Sequence, residues 1–257
     1  MAFHENYSEY YNLFYKDKDY KGESEYIHQL ISSNGYTDKE NISILDLACG
    51  TGRHVFELDK MGYKVEGSDI ASDMINIAQN QALEMGRNIK FHNYSFQSAH
   101  KIQKKYDVII SMFSAVNYIT EHSDLLLTLN NIRGLLKDNG IFIFDYWNGN
   151  AVVRDYSPVK VLRKKSENGE ILRVSETQLN LFEQVASVKF TCMFLKDNVK
   201  TIEFEEIHRM RYFYFKELEN ILNFNGFEIA HKSSFKCLDE ICDPFEWNVS
   251  IVARKVS

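Results

Sequence analysis

Apolar and polar residues follow two different spacings along the first 147 residues of the chain. Short apolar runs predict strands, and segments with apolar residues three and four positions apart predict helices. In chain order, the predicted elements are a helix at 23–33, a strand at 42–47, a helix at 53–61, a strand at 63–68, a helix at 72–85, a strand at 106–112, a helix at 125–136 and a strand at 141–144. This alternation predicts parallel β-α-β units, and therefore an α/β fold with helices on both faces of one sheet.

Three of these elements carry more specific signals. Ser72 stands at the start of the third helix, where a serine side chain can cap the backbone. The sequence Asp138-Asn139-Gly140 favours a turn before the last strand. The strand at 106–112 is nearly all apolar, which indicates burial on both faces of the sheet.

The pattern changes after Trp147. The following residues contain strand-like runs at 159–163 and 186–195, with turn sequences at Asn168-Gly169 and Asp197-Asn198. We interpret this region as an antiparallel β insertion laid over the open edge or mouth of the sheet. A helix at 216–225 and strands at 227–230 and 248–252 then resume the earlier alternation.

The 257 residues, 44% of them hydrophobic, suffice for a substantial core, and no tandem repeat or low-complexity linker divides them. We therefore expect one domain. Its predicted parts are an N-terminal cap segment at 1–40, a core at 41–147 and 213–257, and the antiparallel insertion at 148–212.

Composition argues against several classes of protein. An apolar run of 18 residues and an N-terminal apolar signal region are both absent, so we expect neither a membrane span nor secretion. The four cysteines form no Cys-x-x-Cys pair, which favours reduced thiols in the cytoplasm. The eight histidines show no metal-binding spacing, and the net charge of −6 argues against a nucleic-acid partner.

A glycine-containing loop follows the first strand. The run 44–47 ends in Asp46-Leu47 and breaks into Gly50-Thr51-Gly52, and a helix pattern begins at Arg53. A strand, a glycine turn and a helix N-terminus together form a binding site for a nucleotide-like ligand. Dinucleotide sites carry a third glycine, but Val55 occupies that position. The acid at the strand end suits a ligand with a cationic amine, such as the methionine part of S-adenosylmethionine.

The segment 46–52 resembles the first motif of the class I S-adenosylmethionine-dependent methyltransferases, whose fold is Rossmann-like. Asp69, 17 positions past Gly52, matches the family's acid that binds the ribose hydroxyls, and Met74 matches a residue that packs on adenine. A turn acid after a strand is the alternative interpretation of Asp69. The segment 91–96 lacks the family's Gly-Asp-Met type of sequence, so Ser95 or Asn93 is the candidate for the adenine contact. The resemblance implies S-adenosylmethionine as cofactor, bound by Tyr20, Asp46, Ala48, Gly50, Gly52, His54, Asp69, Ile70, Met74, Ser95, Phe96, Met112 and Phe113.

A narrower resemblance concerns the methyl acceptor. Segments 11–20 and 112–118 are similar to nucleotide-sugar N,N-dimethyltransferases, and segments 144–147 and 206–212 resemble relatives associated with bacterial surface-polysaccharide synthesis. The resemblance implies methylation of a hydroxyl or amino group on a nucleoside-diphosphate sugar, for capsule, O-antigen or glycoside assembly. The candidates for catalysis are Asp145, His208 and Tyr118, and those for substrate binding are Tyr15, Asn117, Trp147, Arg163, Lys164 and Arg211.

Several alternatives stay open at this point. Asp145 can instead cap a turn, His208 can be a structural hydrogen-bonding residue, and Tyr118 can simply wall the pocket. The insertion carries 11 Lys and Arg against 9 Asp and Glu, which suits an anionic substrate, although these charges can equally be solvated. Another small metabolite as acceptor and a non-catalytic cofactor-binding module are alternative functions. Monomer and homodimer are both compatible with the sequence.

Overall fold

The structure is a computed structural model that describes residues 18–166, 169–196, 199–239 and 243–256. Its α-helices are α1 (Tyr20–Ser33), α2 (Arg53–Lys60), α3 (Ser72–Glu84), α4 (His122–Leu135), α5 (Gly149–Asp155) and α6 (Phe215–Phe224). Its strands are β1 (Ser43–Leu47), β2 (Lys64–Ser68), β3 (Phe91–His92), β4 (Tyr106–Ser111), β5 (Leu136–Trp147), β6 (Val159–Ser166), β7 (Gly169–Asn180), β8 (Val185–Lys196), β9 (Val199–Arg211), β10 (Phe227–Ser234) and β11 (Asn248–Lys255). Each helix and strand predicted in the first 147 residues is present.

Seven strands form one sheet in the order β10-β11-β5-β4-β1-β2-β3. Strands β1 to β5 pair in parallel, whereas β11 is antiparallel to both β5 and β10. The chain moves outward from β1 to β3 and then returns to the other side of β1 with β4. This reversal opens a crevice beyond the carboxyl ends of β1 and β4, which is where ligands bind in open α/β sheets. The predicted α/β class, with helices on both faces of one mainly parallel sheet, is confirmed.

Helices cover both faces of the sheet because its central strands are apolar on both sides. All five residues of β1 are buried. Ile44 packs in a cluster with Leu30 of α1 and with residues of α2 and α3. Its neighbour Leu45 points to the opposite face and packs with Leu129 of α4 and with residues of α6. The two clusters fix the sheet and hold the ends of β1 and β4 in place.

The insertion forms a second, antiparallel sheet in the order β6-β7-β8-β9, called the insertion sheet below. The antiparallel character matches the sequence-based expectation, although only two of these strands were foreseen as runs. Helix α5, which precedes β6, was not predicted. Its first turn is capped by the Asn148 side chain, which accepts a hydrogen bond from the Asn150 amide at 3.2 Å. A seven-residue helix that opens on Asn-Gly-Asn shows little helical periodicity in sequence.

Two local predictions were wrong. The side chain of Ser72 does not cap α3, because Ala71 occupies the N-cap position and Ser72 is the first helical residue. Residues 138–140 do not form a separate turn but belong to β5, where the register with β4 shifts and Asn139 adopts φ 60°. The expected turn residues Asn168, Asp197 and Asn198 lie outside the described residues.

Within the described ranges, no helix is both long and apolar enough to cross a membrane. The division into cap segment, core and insertion within one domain stays a prediction.

Candidate active site

A cavity of about 1200 Å³ lies beyond the carboxyl ends of β1 and β4 and extends to the inner face of the insertion sheet. The predicted site residues that line it are Tyr20, Asp46, Ala48, Gly50, His54, Asp69, Ile70, Met74, Ser95, Phe96, Met112, Phe113, Tyr118, Trp147 and His208. Those that do not line it are Gly52, Asn117, Asp145, Arg163, Lys164 and Arg211. Tyr15 lies outside the described residues.

The glycine loop uses its two glycines for different purposes. Gly50 lines the cavity at φ 55°, and a Cβ added to it would meet no atom within 4 Å. Its side therefore stays open for a ligand to approach the backbone. Gly52 adopts φ 78°, and its Cβ would lie 3.1 Å from the Phe91 ring and 3.2 Å from the Phe56 ring. This second glycine allows the loop to pack on the core and lies outside the cavity wall.

Two carboxylates flank the loop at the cofactor end of the cavity. Asp69 accepts hydrogen bonds from the amides of Gly50 and Ala71, each at 2.8 Å, which fixes the orientation of its carboxyl group. Each of its oxygens retains a lone pair for a ligand hydroxyl. Asp46 is 1% exposed, and burial together with the charge of Asp69 raises its pKa well above the usual value. Its Oδ2 atom has no hydrogen-bond partner among the described residues. An unpartnered buried oxygen on a cavity wall fits a ligand that brings a cationic amine.

Next to Asp69, the wall is largely apolar. Met74 is buried, Ile70 is 52% exposed, and Phe96 and Met112 complete a slot that suits a planar ring. Asn93 does not line the cavity, because its side-chain amide donates to the backbone oxygens of Asp69 and Ile70 at 2.9 and 3.0 Å. Ser95 is therefore the better placed of the two residues considered for the adenine contact.

A buried polar cluster links the start of α1 to α2, the helix that follows the glycine loop. His54 Nε2 lies 2.8 Å from Glu23 Oε2, and Lys18 Nζ donates to the same oxygen at 2.5 Å. The Lys18 ammonium also lies over the rings of Tyr20 and Phe113, at 4.5 and 4.2 Å from their centroids. Burial lowers the pKa of both His54 and Lys18. Lys18 and Glu23 were missed at the level of sequence, because a single Lys and a single Glu in a polar segment carry no distinguishing pattern.

Tyr118 and His208 meet on the opposite side of the cavity. Tyr118 Oη lies 2.9 Å from His208 Nδ1, and the two rings make an edge contact at 5.9 Å. His208 is 2% exposed. Burial, with a smaller contribution from the charge of Arg173, lowers its pKa to about 4, so the imidazole is neutral at pH 7. The structure therefore brings together two of the three residues predicted for catalysis.

The third candidate, Asp145, lies behind the cavity wall. Its oxygens accept hydrogen bonds from the Ser114 amide at 3.0 and 2.9 Å and from the Ser114 hydroxyl at 2.8 Å. Burial raises the pKa of Asp145 to about 6. Ser114 has φ 55°, a conformation that a non-glycine residue adopts only with support. The geometry thus gives Asp145 the task of holding the loop after β4 rather than contacting an acceptor.

Other predicted substrate contacts are also used within the fold. The Asn117 side chain donates to the Arg211 backbone oxygen at 2.7 Å, and Arg211 pairs with Glu217 at 2.6 Å. Arg163 pairs with Glu170 at 2.5 Å and is 65% exposed. Successive side chains of a strand point to opposite faces of the sheet. Which basic residues face the cavity therefore depends on the strand register, which the sequence alone does not give. Among the described residues of the insertion sheet, the basic side chains that line the cavity are Lys160 and Arg173.

Among the described residues, no group of three or more His, Cys, Asp and Glu side chains is arranged to hold a metal ion.

The sequence model described as "Methyltransferase domain" matches residues 38–226 of the chain. The chain therefore belongs to the methyltransferase domain family. The expectation of a class I methyltransferase with S-adenosylmethionine as cofactor is confirmed. The residues present fit that cofactor, because Asp46 offers an unpartnered acceptor to its amine and Asp69 offers two oxygens to its ribose.

Individual relatives are distant. The putative methyltransferase YqeM of Bacillus subtilis is 25% identical over 186 residues, which cover 72% of this chain and 73% of that protein. A dTDP-3-amino-3,4,6-trideoxy-alpha-D-glucopyranose N,N-dimethyltransferase of Streptomyces venezuelae is 26% identical over 144 residues, or 55% of this chain and 57% of that protein. The crystal structure of an S-adenosylmethionine-dependent methyltransferase from Clostridium acetobutylicum superposes with a TM-score of 0.81 at 21% identity, covering 96% of both chains. This last likeness shows the shared fold.

Proposed function

We propose that this protein transfers a methyl group from S-adenosylmethionine to a hydroxyl or amino group of a nucleotide-linked sugar, in the assembly of bacterial capsule, O-antigen or glycosides. The observation that carries the proposal is that one cavity joins the glycine loop to the face of the insertion sheet that bears Lys160, Arg173 and His208. The named activity of the Streptomyces venezuelae relative, on an amino sugar linked to dTDP, supports the same class of acceptor.

Cross-strand pairing arranges the side chains of the insertion sheet in rows, and each successive row lies farther from the core sheet. His208 pairs with Val188, and the next row outward places Glu206 beside Phe190, followed by Ser175 and Lys160. Arg173 belongs to the row beyond. Because side chains on one face of a strand repeat every two residues, successive rows lie about 7 Å apart. Lys160 also lies three strands from His208, about 14 Å across the sheet, and Arg173 lies two strands away. We place the sugar near His208 and its phosphates toward Lys160 and Arg173.

Methyl transfer requires mainly that the acceptor atom be correctly positioned relative to the methyl group. The cofactor supplies an activated methyl group on a sulfonium, and the acceptor atom must lie in line with it at about 3–3.5 Å. Asp46, Asp69 and the glycine loop fix the cofactor, while the loop after β4 carries Phe113 and Tyr118 to the meeting point of the two ligands. The insertion sheet forms the other wall of the cavity and would orient the acceptor.

Diphosphate binding tests this assignment without an identified sugar. We expect Lys160→Ala and Arg173→Gln each to raise the Kd for a nucleoside diphosphate by about tenfold, since each removes a charged hydrogen-bond donor. Titration calorimetry with dTDP, UDP and GDP measures the effect, with affinity for S-adenosylhomocysteine unchanged.

Arg163→Gln is the matched control. Arg163 lies on the same strand as Lys160 but is paired with Glu170 outside the cavity, so its removal should leave diphosphate affinity as it was. Equal affinity of Lys160→Ala, Arg173→Gln and the unaltered protein for every diphosphate would contradict this placement of the phosphates.

A further inference from the structure

Three polar side chains are in sequential contact at the part of the cavity formed by the insertion sheet. Tyr118 Oη lies 2.9 Å from His208 Nδ1, and His208 Nε2 lies 3.6 Å from Glu206 Oε2. His208 and Glu206 are two residues apart on β9 and therefore share one face of the strand. Tyr118 comes from the loop after β4, close in sequence to Phe113 at the cofactor end. The chain of contacts thus runs from the loop after β4 into the insertion sheet.

The surroundings of His208 determine which of its ring nitrogens carries the proton. The ring is 2% exposed and packs on the Phe190 ring at 4.6 Å. The titratable groups that face it are Tyr118 from the loop, Glu206 from its own strand and Arg173 from β7. A carboxylate beside Nε2 favours the tautomer that carries its proton there, which leaves Nδ1 to accept a hydrogen bond from the Tyr118 hydroxyl.

We propose that Tyr118, His208 and Glu206 form a relay that removes the proton from a hydroxyl acceptor, with Glu206 as its positioning residue. The inference rests on the proposed function and deepens it, because it makes this protein an O-methyltransferase. The acceptor oxygen forms a bond to the methyl carbon as the carbon–sulfur bond of the sulfonium breaks and its electron pair stays on sulfur. The acceptor proton passes to Tyr118 Oη as the phenol's own proton passes to His208 Nδ1. The imidazolium formed is stabilised by the Glu206 carboxylate and later loses its proton to water.

The relay is matched to a hydroxyl rather than to an amine. A neutral amine attacks with its free electron pair and needs no base in the transition state, whereas a hydroxyl must lose its proton as it attacks. A carboxylate behind a histidine that accepts a proton is the arrangement by which Ser-His-Asp sites activate a hydroxyl. The His208–Glu206 distance of 3.6 Å is longer than a hydrogen bond, and catalytic hydrogen bonds often shorten when the substrate binds.

A pair of acceptors separates the two kinds of transfer. The probes are dTDP-3-amino-3,6-dideoxyglucose and dTDP-6-deoxyglucose, which differ in an amino or a hydroxyl group at one carbon, with ¹³C-methyl S-adenosylmethionine as donor. We expect O-methylation, seen as a methoxyl signal. N-methylation of the amino sugar alone leaves the proposed function standing and overturns the hydroxyl acceptor. Turnover of neither probe, nor of any other nucleotide-linked sugar, contradicts the proposed function itself.

Glu206→Gln tests the relay. We expect kcat to fall by about ten- to hundredfold with an unchanged KM for S-adenosylmethionine, and the acid limb of the pH–kcat profile to move to lower pH, because the imidazolium loses its neighbouring negative charge. His208→Gln should lower kcat further. Glu203→Gln is the control, because Glu203 lies on the same strand, outside the cavity, and pairs with Lys200. A Glu206→Gln variant with the kcat and pH profile of the control would remove Glu206 from the relay.

The hydrogen-bond chain also has a readout that needs no acceptor. In ¹⁵N-labelled protein at neutral pH, we expect His208 to carry its proton on Nε2, with the signal identified by its loss in His208→Gln. In Glu206→Gln, the population protonated on Nδ1 should increase. A His208 that carries its proton mainly on Nδ1 in the unaltered protein would overturn the relay.

Discussion

Replacing Asp69 by alanine is expected to weaken S-adenosylhomocysteine binding by roughly two to four orders of magnitude. Its two oxygens are fixed by the amides of Gly50 and Ala71 and each can accept a ribose hydroxyl. Hydrogen bonds to a charged group contribute about 1.5–3 kcal/mol each, and two of them are lost together. Titration calorimetry with S-adenosylhomocysteine measures the change directly.

The control for this variant is Asp73→Ala. Asp73 is an exposed acid in the first turn of α3, four residues further along and outside the cavity, so its removal changes net charge equally. We expect its affinity to stay within a few-fold of the unaltered protein. An Asp69→Ala variant that binds as tightly as Asp73→Ala would show that Asp69 is only a turn residue.

Replacing Gly67 by alanine is expected to destabilise the protein by about 1–3 kcal/mol. A Cβ at this position in β2 would lie 2.7 Å from the Phe91 ring and 2.8 Å from Cys49 Sγ, both closer than real contacts allow. Phe91 is buried, and Cys49 belongs to the glycine loop, so the strain is relieved only by moving the core or the loop. Urea unfolding gives the free energy of unfolding, and cofactor affinity should fall with it.

Gly134→Ala is the matched variant, for which we expect an increase rather than a decrease in stability. Gly134 lies exposed in the last turn of α4, and its added Cβ would meet no atom within 4 Å. Alanine is favoured over glycine in a helix by about 0.5–1 kcal/mol, so this variant should be more stable. Equal stabilities of the Gly67→Ala and Gly134→Ala variants would contradict the packing of the loop on β3.

The cofactor half of the site was predictable because it is encoded locally. A strand, a loop with positive-φ glycines and a following helix occupy consecutive residues, and Asp69 directly follows the next strand at a spacing set by one β-α-β unit. Periodicity also predicted the order of the elements, which determines where the crevice opens. These features require no knowledge of which distant residues pair.

The acceptor half depended on long-range register, which a single sequence does not encode. Lys160 and Arg163 lie on the same strand, but only Lys160 reaches the cavity. Asp145 lies near the carboxyl end of β5, but its hydrogen bonds to Ser114 depend on how the loop after β4 folds back. Glu206 stands next to several other acids in the sequence, and only the pairing of β8 with β9 shows that it shares the row of Phe190.

The central claim is that the cavity transfers a methyl group to the sugar part of a nucleotide-linked sugar. The most direct measurement is a turnover screen of the purified protein with methyl-labelled S-adenosylmethionine against GDP-, UDP- and dTDP-linked sugars, with fragmentation of the products by mass spectrometry. The predicted result is one labelled methyl group in the sugar fragment of at least one product. Tight binding of S-adenosylhomocysteine without transfer to any of these sugars would contradict the claim.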